Sequence, residues 1–494
     1  MPAGRTPLLM RGTGGPEKKV CLALDLHRGL PLRPVPLRAR SRRDPIELYF
    51  ETDLGRAIRD LADGSLLPAA GTLLRGLDQG LFLALSVSGT LVDLLERHAP
   101  DALAALGRVA RHPGTEVLSA PYHHGLGLLY PGRGQLPTEV LRHRERMQSA
   151  FGTEPTVFCP PEFCVTRPIA DALARTGCTA VLTDPRWCLL QDPDPTLVYR
   201  SGAGAVLLRH GRLSNDLATC VSPGRDAGPL AAAAYAGRLA EAPGECVLIG
   251  LDLDRLVDGS RFSGFIEALP PALERAEVET ATPSALLSAL PAEGLGPARE
   301  VRWTEPDEGM SWFETGLQRS AAAALVRAST WLPDREVWHH LSSTDHFRGM
   351  AVHPGGWRQA AIDHEATVET FARFMRALSV LEERSASQVR SRKAAMTLRT
   401  LPPEQAFVFG HDGATPGRAA HSLAECLEMV STVSERVVAG HLARQDLVHW
   451  CRDVLDDQVL AERLARCRNR GEVRKAMQER VDELVRRRDP LPVP

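Results

Sequence analysis

Short apolar runs recur along the first 290 residues and alternate with stretches of helical periodicity, such as residues 102–109. A run that is apolar throughout is typical of a strand buried on both faces of a parallel sheet. The runs predict strands at residues 20–26, 81–87, 116–118, 156–159, 180–182, 206–208, 246–251 and 278–280. Strands that alternate with helices in this way predict an α/β fold, either a parallel barrel or a doubly wound sheet.

The stretch 155–184 (PTVFCPPEFCVTRPIADALARTGCTAVLTD) has the order strand, loop, helix, strand. Thr166 is suited to cap the helix, Pro168 falls in its first turn, and Gly177 is suited to end it. Such a unit forms a parallel βαβ and leaves Glu162 in the loop after the first strand. An isolated loop glutamate is usually only solvated, but a carboxylate here points into the usual active-site mouth of an α/β barrel.

Polar side chains follow four of the predicted strands at the point where each strand ends. They are His27, His124, Glu162 and Asp252. Because the carboxyl ends of parallel strands meet at one edge of a sheet, we expect these four side chains to share a site.

The pattern changes beyond residue 301, where helical periodicity dominates, as in residues 368–381 (VETFARFMRALSVL), and strand signals vanish. Residues 390–403 form a basic break punctuated by proline, which predicts an exposed linker. Residues 419–484 resume as amphipathic helices and predict a separate bundle.

The chain has 494 residues and a net charge of −2, with 59 Lys and Arg against 61 Asp and Glu. This length predicts two or three domains, and the charge balance gives no support for a nucleic-acid partner. The ten cysteines contain no CxxC pair. No apolar segment suits secretion or membrane insertion, so we expect a cytoplasmic protein without a membrane partner. The sequence leaves the oligomeric state open.

Two carboxylates that face each other across a barrel mouth, here Glu162 and Asp252, are the catalytic groups that a glycosidase needs. One attacks the anomeric carbon while the other donates a proton. Asp252 and Asp254 also form a DxD, which can hold a divalent cation on a nucleotide-sugar phosphate, but a lone DxD recurs by chance.

A metal-dependent hydrolase is a further alternative, with His123 and His124 joined by Asp25 or His27 as ligands. Histidines that hydrogen-bond sugar hydroxyls or loop carbonyls explain the same residues. We favour the second interpretation because no HxxxH or HExxH spacing is present, and so we expect neither a metal nor a cofactor.

Several segments resemble the motifs of glycoside hydrolase family 57, the second α-amylase family, over roughly residues 20–383. VCLALDLHRGLPLR (20–33) is similar to the first motif, a strand followed by His-Gln-Pro, with His27 on the histidine and Arg-Gly in place of Gln-Pro. EVLSAPYHHGL (116–126) places His124 on the histidine of the second motif.

The remaining motifs carry the carboxylates. FGTEPTVFCPPEF (151–163) resembles the motif of the nucleophile and implies that role for Glu162. CVLIGLDLDRLVDGSRFSGFIEALP (246–270) resembles the fourth motif and implies that Asp252 is the acid/base, although Asp254 replaces a glutamate. WHHLSSTDHFRGM (338–350) is similar to the fifth motif, in which the aspartate, here Asp345, reaches the substrate.

The resemblance implies a retaining mechanism on α-glucans or maltooligosaccharides without a metal, in an incomplete (β/α)7-type barrel followed by a helical region that closes the site. It implies hydrolysis, glucan transfer or branching, and the presence of both carboxylates favours an enzyme. The altered first and fourth motifs favour the alternative of a degenerate member that binds glucan as a scaffold or regulator. The expected substrate-binding residues are His27, His124, Asp254, Asp345, His346 and Trp303.

The expected organisation of the chain has five parts. A basic tail (1–18) precedes the barrel (19–295), a helical domain that completes the site (296–388), a basic linker (389–401) and an accessory helical module (402–494). Part of the module, residues 402–464, further resembles an uncharacterised helical module of proteins with related architecture.

Overall fold

The fold is that of a computed structural model, which describes most of the chain. The described residues are 19–35, 45–130, 135–190, 193–202, 204–221, 228–244, 246–253, 259–289, 300–304, 313–333, 335–351, 364–410 and 418–488.

Two sheets built mainly of parallel strands form the centre of the molecule. The first sheet has the order β3-β2-β1-β8, with β9 paired to the start of β1, and the second has the order β4-β5-β7-β6, in which only β6 runs antiparallel. The strands are β1 (Lys19–Leu26), β2 (Leu83–Val87), β3 (Thr115–Val117), β4 (Val157–Phe158), β5 (Ala180–Thr183), β6 (Val198–Ser201), β7 (Gly204–Leu208), β8 (Cys246–Asp252) and β9 (Glu279–Thr280). All eight predicted strands are present within one or two residues of their expected bounds.

The sheets meet along two seams, each formed by a single parallel bridge. Ser119 pairs with Phe158 at one seam, and Arg209 pairs with Leu248 at the other. Seven parallel strands therefore surround one interior, but within the described part of the chain the ladders do not close continuously. This arrangement confirms the predicted incomplete α/β barrel.

Side chains alternate between the barrel interior and the surrounding helices along β1 and β8. Cys21 and Ala23 face inward with Cys246 and Leu248, whereas Leu22 and Leu24 belong to the core against the helices. Since successive side chains on a strand point to opposite faces, Asp25 and Asp252 continue the inward rows at the carboxyl ends. The interior thus changes from small apolar to charged at this edge.

The helices around the sheets are mostly those that the apolar periodicity predicts, and a π-helical turn (Ala62–Leu66) joins α2 to α3. They are α1 (Pro45–Tyr49), α2 (Gly55–Leu61), α3 (Leu67–Asp78), α4 (Gly89–His98), α5 (Pro100–Ala110), α6 (Gln135–Phe151), α7 (Arg167–Leu173), α8 (Gly211–Val221), α9 (Pro229–Glu241), α10 (Gly259–Arg275) and α11 (Pro283–Ala289). Thr166 precedes α7 as expected, although its side chain does not cap the helix.

A helical region follows the barrel and packs around Trp338, which is fully buried. Its helices are α12 (Gly316–Ser329), α13 (Glu336–Leu341), α14 (Thr344–Gly349) and α15 (His364–Ser385). Contacts with the barrel loops bring this region onto the carboxyl ends of the strands: Gly125 forms a bridge with Ser343, and the Leu126 N–H donates to the Ser342 carbonyl over 3.3 Å.

The predicted exposed linker contains an unexpected helix, α16 (Arg392–Leu398), in which Ala394 and Ala395 are buried. Directly after it, the Thr400 N–H donates to Glu382 Oε2 over 2.6 Å. This segment therefore packs against its surroundings, while the division of the chain into separable domains stays a prediction.

The last part of the described chain is mainly helical and has its own apolar core, which includes Trp450 and Leu460. Its helices are α17 (Leu423–Thr432), α18 (Glu435–Arg444), α19 (Asp446–Asp453), α20 (Gln458–Leu464) and α21 (Arg470–Arg488). The expectation that strands end near residue 301 is wrong, because β10 (Phe407–Phe409) and β11 (Arg418–Ala420) form an antiparallel pair. Three-residue strands carry too few alternating positions to give a signal.

None of the helices in the described ranges has both the length and the apolar character needed to cross a membrane.

Candidate active site

Glu162 and Asp252 both lie at the charged edge of the barrel and bind the same arginine. Glu162 follows β4 in a short 3₁₀ turn (Pro161–Phe163), and Asp252 is the last residue of β8. Arg348, on α14, donates to Glu162 Oε1 from Nε over 2.9 Å and from Nη2 over 2.7 Å. The same Nη2 lies 2.9 Å from Asp252 Oδ2. One cation therefore joins the two predicted catalytic carboxylates.

The charge of Arg348 is fixed by these neighbours. Burial alone would lower its pKa, but the carboxylates of Glu162, Asp252 and Asp345 raise the pKa above its ordinary value. The three paired side chains keep only about a fifth to a quarter of their surface exposed, so their attraction is less screened than that of a surface pair.

The backbone that carries Glu162 is strained. Glu162 and Phe163 have φ of 55° and 52°, in the left-handed region that costs a residue other than glycine about 1–3 kcal/mol. The Phe163 carbonyl accepts from the Asp184 N–H and the Thr183 hydroxyl. The Phe163 ring packs against Gly250, where a Cβ atom would lie 2.3 Å from it. The barrel thus holds the loop in one orientation.

His27 and His124 stack on each other with ring centroids 4.0 Å apart. His124 Nε2 lies 2.8 Å from Asp25 Oδ2, and its Nδ1 lies 2.8 Å from the Thr344 hydroxyl. Because a carboxylate can only accept, the His124 Nε2–H is the donor to Asp25. The two nitrogens of His27 bond the hydroxyls of Ser88 and Ser343 in the same way, over 2.8 and 2.9 Å. Hydrogen bonds therefore engage all four ring nitrogens.

Asp345 joins the helical region to the loop after β1. Its Oδ2 accepts from the Gly29 N–H over 2.8 Å and lies 3.4 Å from His27 Nε2. A Cβ atom on residue 29 would lie 3.0 Å from both this oxygen and the Ser343 hydroxyl. Glycine therefore allows the close approach, and its N–H supplies a bond that a proline at this position could not give.

These contacts shift three pKa values. Burial would raise the pKa of Asp25, but His124 lowers it to about 2. Burial would also raise the pKa of Asp345. Contacts with His27, the Gly29 N–H and Arg348 instead hold that pKa well below its ordinary value. Burial is the main cause at His27 and lowers the pKa of its imidazole to about 4. Near neutral pH the edge therefore presents ionised aspartates and a neutral His27.

A second group of charges stands beside Glu162. Arg186 and Arg209 both approach Asp184, Arg186 with its Nε 2.9 Å from Oδ1 and Arg209 with its Nη1 3.6 Å from Oδ2. The guanidinium of Arg209 also lies over the Phe163 ring, 5.7 Å from its centroid. The loop that carries Glu162 is thus surrounded by cations paired with acids.

A cleft of about 390 Å³ opens next to Asp345. Its walls come from the loop after β1 and from the helices α14 and α15, and they include Arg28, Gly29, Thr370 and Arg373. A second hollow of about 720 Å³, beside Phe82, lies at the amino end of β2 and far from the charged edge of the sheet.

The structure brings His27, His124, Glu162, Asp252 and Asp345 to one edge, as their positions after the strands and in the fifth motif predict. Two further candidates are more deeply buried. His346 lies in the helical region, where its Nε2 donates to the His340 carbonyl over 3.1 Å, and it lines the cleft beside Asp345. Trp303 is 6% exposed and packs in an apolar cluster after pairing with Cys188. Asp254 lies outside the described residues.

Arg348 is the main site residue that the sequence reasoning misses. Its position was visible, since it stands three residues after Asp345 and therefore on the same helix face. Nothing in the residue pattern indicates its partners, because Asp252 at the end of β8 and Glu162 after β4 lie 96 and 186 residues away in sequence.

Comparison with known proteins agrees with this fold. A family profile described as glycosyl hydrolase family 57 matches residues 43–299. No curated protein gives a significant match to the sequence.

The solved structures similar to this chain include a 4-alpha-glucanotransferase from Thermococcus litoralis, with 11% sequence identity and a TM-score of 0.52. That match covers 82% of this chain and 63% of the enzyme, so the chain spans less than two thirds of its length. A GH57-type branching enzyme from Pyrococcus horikoshii has 12% identity and a TM-score of 0.49, over 75% of this chain and 90% of that one. At such identities the likeness concerns the fold alone.

Proposed function

Because the chain belongs to glycosyl hydrolase family 57, we propose that it acts on α-glucans as a retaining glycoside hydrolase or glucanotransferase. Glu162 is the nucleophile and Asp252 the acid/base in this proposal. The family match supports the substrate class.

The shared contact with Arg348 is the observation that carries the proposal. Nη2 lies 2.7 Å from the Glu162 oxygen and 2.9 Å from the Asp252 oxygen. These two oxygens are therefore less than about 6 Å apart, a limit that is consistent with the separation of about 5–5.5 Å between the carboxylates of retaining enzymes.

In the first step a Glu162 oxygen attacks the anomeric carbon and forms a glycosyl–enzyme ester, while Asp252 gives its proton to the departing glycosidic oxygen. In the second step Asp252 takes a proton from water or from a sugar hydroxyl, which attacks the same carbon and releases Glu162. Water gives hydrolysis, and a sugar hydroxyl gives transfer or branching.

Arg348 must move for this chemistry. A sugar ring has to enter between the carboxylates where the guanidinium now lies, and a cation 2.9 Å from Asp252 favours the ionised form, which cannot donate a proton. The mechanism therefore requires substrate to turn Arg348 away from Asp252. His27, His124 and Asp345 line the same edge and offer donors and acceptors for sugar hydroxyls.

The same arginine favours a second candidate function, that of a degenerate family member which binds glucan without cleaving it. If Arg348 stays in place, it remains paired with both carboxylates and excludes the reacting carbon. The protein then serves as a glucan-binding scaffold or regulator.

Incubation of the purified full chain with maltoheptaose and with amylose, followed by chain-length analysis, tests the proposal. Shorter chains alone indicate hydrolysis, a redistribution of lengths indicates transfer, and new α-1,6 linkages indicate branching. Glucan retention in affinity electrophoresis without any new product supports the second candidate. If the protein forms no product, retains no glucan and leaves activated glucosides unreacted, both candidate functions are contradicted.

A further inference from the structure

A second set of ligating side chains lies one residue from His124 and outside the carboxylate pair. His123, in the loop after β3, is surrounded by Glu139 on α6 and by His339, His340 and Glu336 on α13. His123 and Glu139 are each 1% exposed and His339 is 7% exposed. Two groups of three can be drawn from this set, and both contain His123.

We propose that His123, Glu139 and His339 bind one divalent transition-metal ion. His123 Nδ1 lies 3.0 Å from both oxygens of Glu139, and His339 Nδ1 lies 3.6 Å from Glu139 Oε1. All three ligand atoms fall within 4.8 Å of one another. The Glu139 carboxylate is oriented by the His123 N–H, which donates to Oε2 over 3.0 Å.

These separations suit a metal ion with little rearrangement. Nitrogen and oxygen ligands bind zinc at about 2.0–2.1 Å, which places the corners of a tetrahedral site about 3.3 Å apart and those of a flat trigonal one about 3.6 Å apart. The measured 3.0 and 3.6 Å lie close to these values.

His339 supplies an independent reason for an ion. Its buried Nδ1 has no hydrogen-bond partner among the described residues, and it faces a carboxylate oxygen at 3.6 Å. That distance is too long for an N–H···O bond, and with the proton on Nε2 two lone pairs would face each other in a dry interior. A cation between the two atoms would satisfy both.

The ligand types define the class of ion. Two imidazoles and one carboxylate suit Zn²⁺, Co²⁺, Fe²⁺ or Mn²⁺, whereas Ca²⁺ and Mg²⁺ prefer oxygen ligands alone. Three protein ligands leave coordination positions open.

The alternative group of His123, Glu336 and His340 is less suitable. Arg142 already holds Glu336 through a pair of guanidinium nitrogens at 2.8–3.1 Å, and the Glu336 side chain is 42% exposed. A metal there would have to displace this arginine.

The ion would link three segments that are far apart in sequence. His123 and Glu139 belong to the barrel and His339 to the helical region, so a shared metal would fasten the two parts beside His124. The sequence reasoning expects no metal, because positions 123, 139 and 339 form no short spacing motif. The proposed site is independent of glucan cleavage.

Titration of the chelator-stripped full chain with Co²⁺ tests the site. We expect one bound Co²⁺ per chain, with visible d–d absorption, and a rise in Tm when Zn²⁺ is added. His339→Gln and Glu139→Gln should each weaken Co²⁺ binding by at least about tenfold, since losing even a residue that orients a ligand costs about 10–100-fold. His340→Gln and Glu336→Gln are matched controls from the same cluster and should bind as the wild type does.

The outcomes separate the alternatives. Absence of a saturable Co²⁺ equivalent in the wild type overturns the proposal without any variant. Unchanged binding in both His339→Gln and Glu139→Gln, or loss of binding confined to His340→Gln and Glu336→Gln, also overturns it. Circular dichroism of each variant identifies any loss of binding that results from unfolding, and in that case the wild-type titration decides.

Discussion

The guanidinium group of Arg348 donates two hydrogen bonds to a single carboxylate oxygen of Glu162, over 2.9 and 2.7 Å. Glu162 is thereby held as an anion beside Asp252, although two carboxylates this close would repel each other without a cation. Whether the arginine stays or leaves when glucan binds separates an enzyme from a binding protein.

Replacing Arg348 with methionine should extend maltodextrin turnover to higher pH. The proton donor must be protonated, and a nearby cation favours its ionised form in the free enzyme. Removal of the cation should therefore move the basic limb of the kcat/KM profile, which reports the free enzyme, upward by about 1–3 pH units. Arg373→Met, in the neighbouring cleft, is the matched control and should leave the profile in place. An unmoved basic limb in Arg348→Met would show that Asp252 is not the proton donor.

Glu162→Gln should abolish turnover and leave glucan binding intact. The amide is nearly the same size as the carboxylate but cannot form the glycosyl–enzyme ester. Glu154→Gln, on the loop before β4, is the matched control, because Glu154 is exposed and pairs only at the surface with Arg144. Product analysis and affinity electrophoresis measure the two properties separately. Full activity in Glu162→Gln would refute its role as nucleophile.

Asp252→Asn should act differently on two kinds of substrate. Turnover of maltodextrins should fall by about 10²–10⁴-fold, the usual contribution of general acid–base catalysis. A glucoside with a good leaving group needs no proton in the first step, so the variant should form the intermediate at a near-normal rate and hydrolyse it slowly. Azide should accelerate that second step. Equal losses on both substrates would contradict an acid/base role. Asp171→Asn, at an exposed position on α7, is the control.

The buried His27 should make the fold sensitive to mild acid. Its pKa is about 4 in the folded protein against 6.5 ordinarily, so the unfolded chain binds the proton more tightly. The neutral imidazole therefore makes its full contribution to the free energy of unfolding above pH 6.5. That free energy falls by up to about 3 kcal/mol as the pH falls from 6.5 to 4. Urea unfolding at several pH values should show a shallower loss in His27→Gln than in the wild type or in the exposed-site control His449→Gln. Parallel curves would disprove the shift.

Trypsin should spare the basic segment between the helical region and the last part of the chain. An exposed linker would be cut at Arg392, Lys393 or Arg399, but the structure places them on or beside α16, whose Ala394 is buried. The Ser320 hydroxyl also donates to Glu425 Oε1 over 2.7 Å across the same boundary. Mass spectrometry of early fragments checks this. Rapid cleavage at the three sites would restore the expectation of an exposed linker.

The residue pattern predicts the strands and the residues at their ends because burial on both faces requires continuous apolar runs, as at Lys19–Leu26. It does not reveal β6, an antiparallel edge strand that includes the exposed Arg200. Side-chain pairing is also hidden. Arg348 pairs with one carboxylate after β4 and with another at the end of β8, and His339 faces Glu139 across 200 residues of sequence. A linear pattern records which residues are buried, but it does not record which ones meet.

The two single-bridge seams have a consequence for the distance between the carboxylates. Glu162 follows a strand of the second sheet and Asp252 ends a strand of the first. Their separation therefore depends on how the two sheets are aligned with each other rather than on the geometry of either sheet. Among the described residues, a single bridge, Arg209 to Leu248, joins β7 to β8 near Asp252. A substitution at either seam would therefore change the distance between Glu162 and Asp252 without altering a residue of the site. Arg348 is the side chain that contacts the carboxylates of both sheets.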